Sequence, residues 1–427
     1  MVILEHILYV VGWIIIIDNK GLKWKGCDFM GIYVNPRNNG FKEAVQSEIY
    51  VDKTELIHYT NKLINTEQKY VCISRPRRFG KTMAAKMLVA YYSKGCHSEE
   101  LFEPYKITKD ENYKKHLNQY NVIALNIKKL LTKVNTIEEL LQSLQRKVIK
   151  EIKNNYSDVE FENETILSDV LENVYDETEE KFIFIIDEWD CVLREKQYMA
   201  KDHEIYLNFM QGLLKDQDYV SLAYMTGILP IKKYGTHSAL NMFAEYSMID
   251  PGQFAPYVGF TEEEVKKLCD TWQMNFDMMK NWYDGYVFNN DLHVYSPKSV
   301  VDSISRNKFS SYWTQTETYE ALKKYIVLDY DGLKDAIMQM MAENRVNIDC
   351  ETFQNDMTTF KSKDDVLTLL VHLGYLAYDG KHGQVFIPNS EIRSEFERAV
   401  KKSDWQEEKD LQILYLCPKR ILINQQW

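Results

Sequence analysis

The sequence predicts an α/β fold: a parallel β-sheet with helices between its strands, followed by a mostly helical C-terminal half. Short apolar runs separated by helical patterns indicate strands buried on both faces, which is typical of a parallel sheet. A Gly-Lys-Thr sequence follows one of these runs, and a pair of carboxylates ends another. The runs lie at 70–73, 122–127, 181–186, 220–225 and 243–249.

The segment from Arg75 to Thr82 has the character of a phosphate-binding loop (P-loop), because it follows the strand at 70–73 and precedes a helical pattern. In such loops backbone N–H groups at a helix N-terminus surround the phosphates. A lysine reaches the β- and γ-phosphates, and a Ser or Thr hydroxyl ligates Mg²⁺. Lys81 and Thr82 stand at these two positions, and Gly80 lets the backbone approach the phosphate closely. The usual pattern also has a glycine five residues before Gly80, where this chain has Arg75.

Asp187 and Glu188 end the apolar run at 181–186. An acid at the C-terminal tip of a parallel strand lies where such sheets bind ligands. We expect Asp187 to hold Mg²⁺, directly or through water, and Glu188 to activate the attacking water. A core strand with a polar cap is the alternative. If the strand continues to its tip, the two adjacent side chains point to opposite sides.

The sequence Arg-Pro-Arg-Arg-Phe-Gly-Lys-Thr resembles the loop of the bacterial and archaeal AAA-ATPase-like family, whose members carry this glycine-poor variant. Further motifs resemble that family in order, so the resemblance runs from about Met30 to about Phe396. These motifs lie at 30–36, 50–54, 226–231, 259–265 and 282–286.

The resemblance implies a P-loop NTPase core with ATP and Mg²⁺ as cofactors. Lys81 and Glu188 are the expected catalytic residues, and Thr82 and Asp187 the expected metal ligands. By resemblance, Thr226 senses the γ-phosphate from the tip of the strand beside the Asp-Glu strand, although a cap at the turn of Gly227 stays an alternative. The expected nucleotide-binding residues are Arg75, Pro76, Arg77, Arg78, Phe79, Gly80, Lys81, Thr82 and Thr226.

Two arginines beside a phosphate loop leave three alternatives open. In the first, Arg77 and Arg78 contact phosphates. In the second, they reach a neighbouring subunit as arginine fingers, and in the third they pair with acids elsewhere. The third alternative is the least favoured, because two cations beside the loop create a costly field without an anion.

Composition and charge restrict the partners. The formal net charge of −11 and the pI of about 5.5 provide no global attraction to nucleic acid or anionic membranes. They do not exclude a local basic patch. Seven cysteines without paired spacing indicate reduced thiols, so we expect a cytoplasmic protein. The apolar run from Ile7 to Ile17 is too short for a membrane span of about 20 residues, so no stable membrane insertion is expected. Besides ATP, the expected partner is a second copy of the chain or an unidentified protein.

The predicted domain boundaries lie where the pattern of apolar runs, helices and hairpins changes along the sequence. Residues 1–29 form an apolar extension ahead of the resemblance. One hypothesis is that it results from a misplaced start codon, and the alternative is a native segment that forms an exposed, aggregation-prone strand or a weak membrane contact. The P-loop ATPase core spans 30–255, and a helical domain with a hairpin spans 256–330. Helices and a second hairpin at 331–398 suggest a winged-helix-like module by analogy, and 399–427 form a short tail.

Many relatives continue past an Ile-Pro-Asn-x-Glu block into a nuclease-like domain with a PD-(D/E)XK core. That block is present at 387–391, and 36 residues follow Glu391 in this 427-residue sequence. Such a tail is shorter than an ordinary domain of roughly 100 residues. We therefore expect the nuclease-like domain to be absent and DNA cleavage to be lacking.

Together these features predict an ATP-binding P-loop protein with slow, Mg²⁺-dependent hydrolysis coupled to a conformational change of the C-terminal half. One alternative is a switch protein that binds nucleotide without hydrolysing it. Another is a nucleic-acid-binding module that acts through the winged-helix-like region. ATP is favoured over GTP because no Asn/Thr-Lys-x-Asp guanine-reading motif is evident.

Overall fold

A computed structural model describes residues 13–18, 21–26, 30–195, 197–231, 239–288, 291–313, 332–351, 353, 360 and 362–401. The strands are β1 Trp13–Asp18, β2 Gly21–Gly26, β3 Tyr70–Ser74, β4 Asn121–Asn126, β5 Phe182–Asp187, β6 Val220–Gly227, β7 Ala244–Tyr246, β8 Phe260–Thr261, β9 Tyr286–Phe288, β10 Leu292–Tyr295, β11 Val346–Asn347, β12 Ala377–Asp379 and β13 Gln384–Phe386. The helices of the first half are α1 Asn39–Val45, α2 Leu56–Leu63, α3 Lys81–Tyr92, α4 Glu99–Phe102, α5 Tyr113–His116, α6 Ile127–Leu131, α7 Ile137–Asn155, α8 Leu167–Thr178, α9 Cys191–Arg194 and α10 Ala200–Leu214. Those of the second half are α11 Glu262–Trp272, α12 Phe276–Tyr283, α13 Pro297–Ser305, α14 Leu333–Met341, α15 Lys363–His372 and α16 Ser390–Lys401.

A five-stranded sheet in the order β4-β5-β6-β3-β7 forms the centre of the fold. β4 and β5 pair in parallel over their whole length, from Asn121 opposite Phe182 to Asn126 opposite Asp187. Every residue of β3, β5 and β6 is buried, as their continuous apolar runs predict. The predicted α/β fold with a central parallel sheet is therefore confirmed. The run at 243–249 forms only the short strand β7.

The chain divides into two compact units, Met1–Val71 with Thr82–Met225, and Cys72–Lys81 with Thr226–Trp427. The predicted domain boundaries stay predictions. Within the described ranges, no helix is both long enough and apolar enough to cross a membrane.

In the first unit, amphipathic helices cover the strands. α7 buries the face that carries Leu140, Leu144 and Val148, which recur at the spacing of a helix. Thr136 caps this helix, because its side chain accepts a hydrogen bond from the backbone N–H of Glu139.

In the second unit, helices alternate with short antiparallel hairpins. β9 pairs with β10, and β12 pairs with β13 across the turn that follows Asp379. α11 begins with a capping box, in which Thr261 and Glu264 each accept from the backbone N–H of the other. The sequence pattern thus located both hairpins, and the winged-helix likeness of 331–398 stays a prediction.

A buried carboxylate ties α16 to a distant segment of the second unit. Glu391 Oε1 accepts hydrogen bonds from the backbone N–H groups of Tyr312 (2.6 Å) and Trp313 (2.9 Å). Its Oε2 accepts from the Ser299 hydroxyl at 2.8 Å. Burial raises the pKa of Glu391 to about 7, although these three donors favour the charged form.

The raised pKa of Glu391 predicts a pH-dependent stability. A carboxyl whose pKa is higher in the folded than in the unfolded state stabilises the fold below the unfolded value of 4.5, and this contribution is lost as the pH rises through about 7. Glu391→Gln stays neutral and can still accept both N–H bonds. We expect the free energy of unfolding of Glu391→Gln, relative to wild type, to increase between pH 5 and pH 8 by on the order of 3 kcal/mol.

Chemical denaturation of both proteins across this pH range measures the difference. Glu397→Gln removes a carboxylate from the same helix and is the control, for which we expect the difference from wild type not to depend on pH. Parallel curves for wild type and Glu391→Gln would contradict the prediction.

Candidate nucleotide-binding site

The loop from Arg75 to Gly80 connects β3 to α3 and has the backbone of a tight turn. Arg78 and Gly80 have φ angles of +72° and +93°, in the left-handed region that glycine adopts most readily. A Cβ atom on Gly80 would meet nothing within 4 Å. Glycine is therefore required here for conformation, and its surroundings leave room for a ligand beside the N-terminus of the 12-residue helix α3.

Lys81 is the first residue of α3, and its side chain turns back over the loop. It is only 4% exposed. Its Nζ donates to the backbone carbonyl oxygens of Arg75 and Pro76, both at 2.8 Å. A buried ammonium needs such acceptors. A phosphate would offer a stronger, charged acceptor to the same group.

Other side chains of the loop are engaged in packing. The guanidinium of Arg75 is fully buried and donates to the carbonyl oxygens of Tyr246 (3.0 Å) and Ser247 (2.7 Å). Phe79 is also fully buried, with its ring centroid 5.4 Å from that of Tyr286. Nucleotide contacts by Arg75 and Phe79 stay predictions, and with these side-chain positions they would come from the backbone.

Thr82 and Asp187 lie together in the first unit. The Thr82 hydroxyl donates to Asp187 Oδ2 at 2.8 Å. Asn126, at the end of β4, donates from Nδ2 to the same oxygen at 3.0 Å. A hydroxyl beside a carboxylate is an oxygen donor set that suits Mg²⁺, which prefers hard oxygen ligands and keeps several waters. Thr82 and Asp187 are thus the residues that would hold the metal.

Glu188 departs from the geometry expected of a continuing strand. β5 ends at Asp187, and Glu188 has a φ of +56°, so the two acids do not alternate across a strand. The Glu188 carboxylate instead forms an ion pair with Arg194. The same guanidinium donates to the fully buried Asp190 at 2.9 Å. Burial acts to lower the pKa of Arg194, but Asp190 and Glu188 outweigh it and raise this pKa, so Arg194 stays charged.

Three residues of the predicted nucleotide-binding site remain: Thr226, Arg77 and Arg78. Thr226 is fully buried near the end of β6. Arg77 is half-buried in the loop. Arg78 donates to the carbonyl oxygen of Tyr312 at 2.6 Å. The roles of these three residues in nucleotide binding stay predictions.

The sequence interpretation missed two groups at this site. Asn126 is the polar residue near the end of the run at 122–127, so the reasoning that selected Asp187 could also have selected it. The pairing of Arg194 with Glu188 has no comparable signal, because it depends on the turn between β5 and α9.

A separate cluster in the second unit joins Glu262, Asp284 and His293, whose ligand atoms lie within 4.8 Å of one another. His293 Nδ1 lies 2.8 Å from Asp284 Oδ2. The ammonium of Lys280 pairs with Glu262. The same ammonium lies 3.9 Å from Asp284 Oδ2, so a cation of the protein already contacts both carboxylates, and we assign no metal to the cluster.

The central sheet with helices, the loop and the following helix together define a P-loop NTPase fold. Residues 39–236 match the model of the AAA-ATPase-like family, described as a predicted AAA-ATPase. This segment, just under half of the chain, resembles that family, in agreement with the resemblance found in the sequence. The motif resemblance beyond residue 236 stays a prediction.

Comparison with solved structures found weak similarities, and comparison with curated proteins found no match. A Walker-type ATPase of Pyrococcus abyssi is 13% identical, with 81% of this chain and 94% of that chain covered and a TM-score of 0.39. The ORC2 protein of Aeropyrum pernix, in ADPNP–ADP complexes, is 9% identical, with 85% and 97% covered and a TM-score of 0.35. The ORC1 protein of the same organism, in complex with DNA, is 8% identical, with 91% and 100% covered and a TM-score of 0.28. No property of these proteins is transferred to this chain.

The position of Lys81 predicts a binding defect without a folding defect. Lys81→Ala removes the ammonium from the loop but no part of the apolar core, so the fold should persist. We expect ATP·Mg²⁺ affinity to fall about 10- to 100-fold, the range for a lost charge-assisted contact of 1.5–3 kcal/mol. Titration calorimetry measures this affinity. Lys86→Ala removes an exposed lysine from the same helix and should bind like wild type, and equal affinities for all three proteins would refute the assignment.

Proposed function

We propose that this chain is an ATP-binding P-loop protein that hydrolyses ATP slowly in a Mg²⁺-dependent reaction. The observation that carries this proposal is the 2.8 Å hydrogen bond between Thr82 and Asp187, which joins the hydroxyl after the P-loop lysine to the carboxylate at the tip of β5. The match of residues 39–236 to the model of a predicted ATPase family supports it. We also propose a cytoplasmic location, to which the free thiols of Cys96, Cys191 and Cys269 are suited.

Each residue has a task that follows from its charge and position. Lys81 would leave the carbonyl oxygens of Arg75 and Pro76 and neutralise phosphate oxygens. Thr82 and Asp187 would hold Mg²⁺, which when bound neutralises charge on the phosphates. Glu188 would accept a proton from the attacking water.

Slow turnover is supported by the partner of Glu188. The guanidinium of Arg194 occupies the carboxylate that would have to contact the attacking water, so this ion pair must open or rearrange before Glu188 can act as the base. Arg194 is anchored by the fully buried Asp190, so we expect the pair to persist unless nucleotide binding changes it. The same observation favours the second candidate function, a switch protein that binds nucleotide and hydrolyses little or none.

Coupling of nucleotide binding to the C-terminal half is supported by contacts inside the second unit. Arg78 of the loop donates to the carbonyl oxygen of Tyr312, and Glu391 of α16 holds the N–H group of the same residue. Gly374 lies so close to the loop that a Cβ atom there would be 2.8 Å from Pro76 Cγ. A loop that rearranges around phosphate would therefore disturb residues of the C-terminal half directly.

The two acids provide the experiment that tests the proposed hydrolysis. Glu188→Gln keeps the size of the side chain but cannot accept the proton, so ATP should still bind while hydrolysis falls by roughly 100-fold or more. Asp187→Asn should instead weaken the Mg²⁺-dependent part of ATP binding. Phosphate release at saturating ATP, measured beside ATP affinity, separates the two defects.

Glu172→Gln, which changes an exposed carboxylate of α8, is the control and should behave like wild type. A wild-type protein that binds ATP without measurable phosphate release would establish the switch function. If wild type and Glu188→Gln release phosphate equally fast, Glu188 is not the base.

Substitution of Gly374, which lies close to the loop, tests the coupling between nucleotide binding and the C-terminal half. Gly374 and Gly332 have similar positive φ angles, +81° and +78°, so alanine strains the backbone by about 1–2 kcal/mol at either position. A Cβ on Gly374 would press on Pro76 and on Trp313, whereas a Cβ on Gly332 would meet nothing within 4 Å. We expect Gly374→Ala to lower ATP affinity severalfold and Gly332→Ala to leave it unchanged, as measured by calorimetry on folded proteins. Equal affinities for the two variants would contradict the coupling.

A further inference from the structure

Asn126 stands beside the proposed metal ligand and has no role in the sites described so far. It ends β4, directly opposite Asp187 in the parallel pairing of β4 with β5. We propose that Asn126 is a positioning residue that sets the orientation in which Asp187 meets Mg²⁺. This inference rests on the proposed ATP·Mg²⁺ binding.

The orientation of the Asn126 amide is fixed by a second contact. Its Oδ1 accepts a hydrogen bond from the backbone N–H of Lys129 at 2.8 Å, which makes Asn126 the N-cap of α6. Because that bond requires the oxygen to face the helix, the NH₂ group must face away from it. The NH₂ group then donates to Asp187 Oδ2 at 3.0 Å. The cap of α6 thus determines which atom Asn126 presents to Asp187.

Asp187 Oδ2 receives donors from two different elements. Thr82 reaches it from α3 at 2.8 Å, and Asn126 reaches it from the end of β4 at 3.0 Å. One donor still allows a carboxylate to rotate about its bond to Cβ, whereas two donors on one oxygen define the plane of the group. Asp187 is only 5% exposed, so water offers little competition for these bonds.

This second donor matters most when Thr82 is occupied by the metal. A hydroxyl that ligates Mg²⁺ changes its hydrogen bonding. The uncharged NH₂ group of Asn126 does not ligate the metal, so it can keep its hydrogen bond to Asp187. Asn126 therefore keeps Asp187 in place during metal binding. Groups that orient a metal ligand in this way typically change metal affinity about 10- to 100-fold when they are removed.

The experiment compares the ATP affinity of the full chain in Mg²⁺ with its affinity in EDTA, by titration calorimetry. The ratio of the two affinities measures the contribution of the metal and needs no turnover. For Asn126→Ala we expect this ratio to fall about 10-fold, with unchanged affinity in EDTA. Asn126→Ser keeps an N-cap hydroxyl for α6 but is too short to replace the amide, so it should fold with the cap intact and show the same fall.

Two further variants separate positioning from a structural defect. Thr136→Ala removes the N-cap of the next helix, α7, by breaking a hydrogen bond with Glu139 rather than with Asp187, and should leave the ratio unchanged. In the Asp187→Asn background, Asn126→Ala should cause no further fall, because Asn126 acts through the carboxylate that is already absent. Thermal unfolding of every variant reports whether stability has changed.

Distinct results would overturn the inference and the proposed function. If wild type binds ATP more tightly with Mg²⁺ and the two Asn126 variants retain that ratio, the positioning role is refuted while ATP·Mg²⁺ binding stands. An equal fall in the Asp187→Asn background would also refute it, because the effect would then not pass through Asp187. Absence of ATP binding, or of any Mg²⁺ dependence, in wild type would overturn the proposed function itself.

Discussion

The hydrogen bond from Thr82 to Asp187 is the interaction on which the candidate site depends. It joins the first turn of α3 to the tip of β5, two elements about a hundred residues apart in sequence. The strand buries every side chain on both faces, so its position is fixed by the core and its tip cannot shift independently. A short polar contact at that tip therefore places Thr82, in the first turn of α3, relative to a rigid strand of the same unit.

The charged side chains of the candidate site are held by partners within their own units. Lys81 is held by carbonyl oxygens of its own loop, and Glu188 is held by Arg194. Each of these partners satisfies a charge in a partly or fully buried position, where an uncompensated ion would be costly. A nucleotide with its metal would have to replace these contacts rather than fill an unpaired site. The protein would thus exchange these internal hydrogen bonds and ion pairs for contacts with phosphate. The difference in free energy between the two sets of contacts would determine the affinity for the nucleotide.

The sequence was most informative where one face or one run of residues decides the structure. The run that ends at Asp187 is apolar throughout, so both the buried strand and its polar tip follow from composition alone. The same holds for the capping box of Thr261 and Glu264, whose spacing is local. By contrast, Arg75 packs against carbonyl oxygens about 170 residues away, at Tyr246 and Ser247, and no local pattern carries that information. The left-handed turn at Glu188 is likewise set by tertiary contacts, since glutamate seldom adopts it.

The buried carboxyl of Glu391 links proton exchange to the shape of the second unit. Its pKa of about 7 means that a substantial fraction of molecules carries a proton on Glu391 near neutral pH. Any rearrangement that lifts Tyr312 and Trp313 away and admits water to Glu391 returns the pKa toward 4.5, and the proton is then released. Such a rearrangement is favoured at higher pH, because proton release is coupled to it. A change of conformation that exposes Glu391 to water would therefore release protons, which can be measured. The pH of the solution would in turn shift the equilibrium between the conformations in which Glu391 is buried and those in which it is exposed.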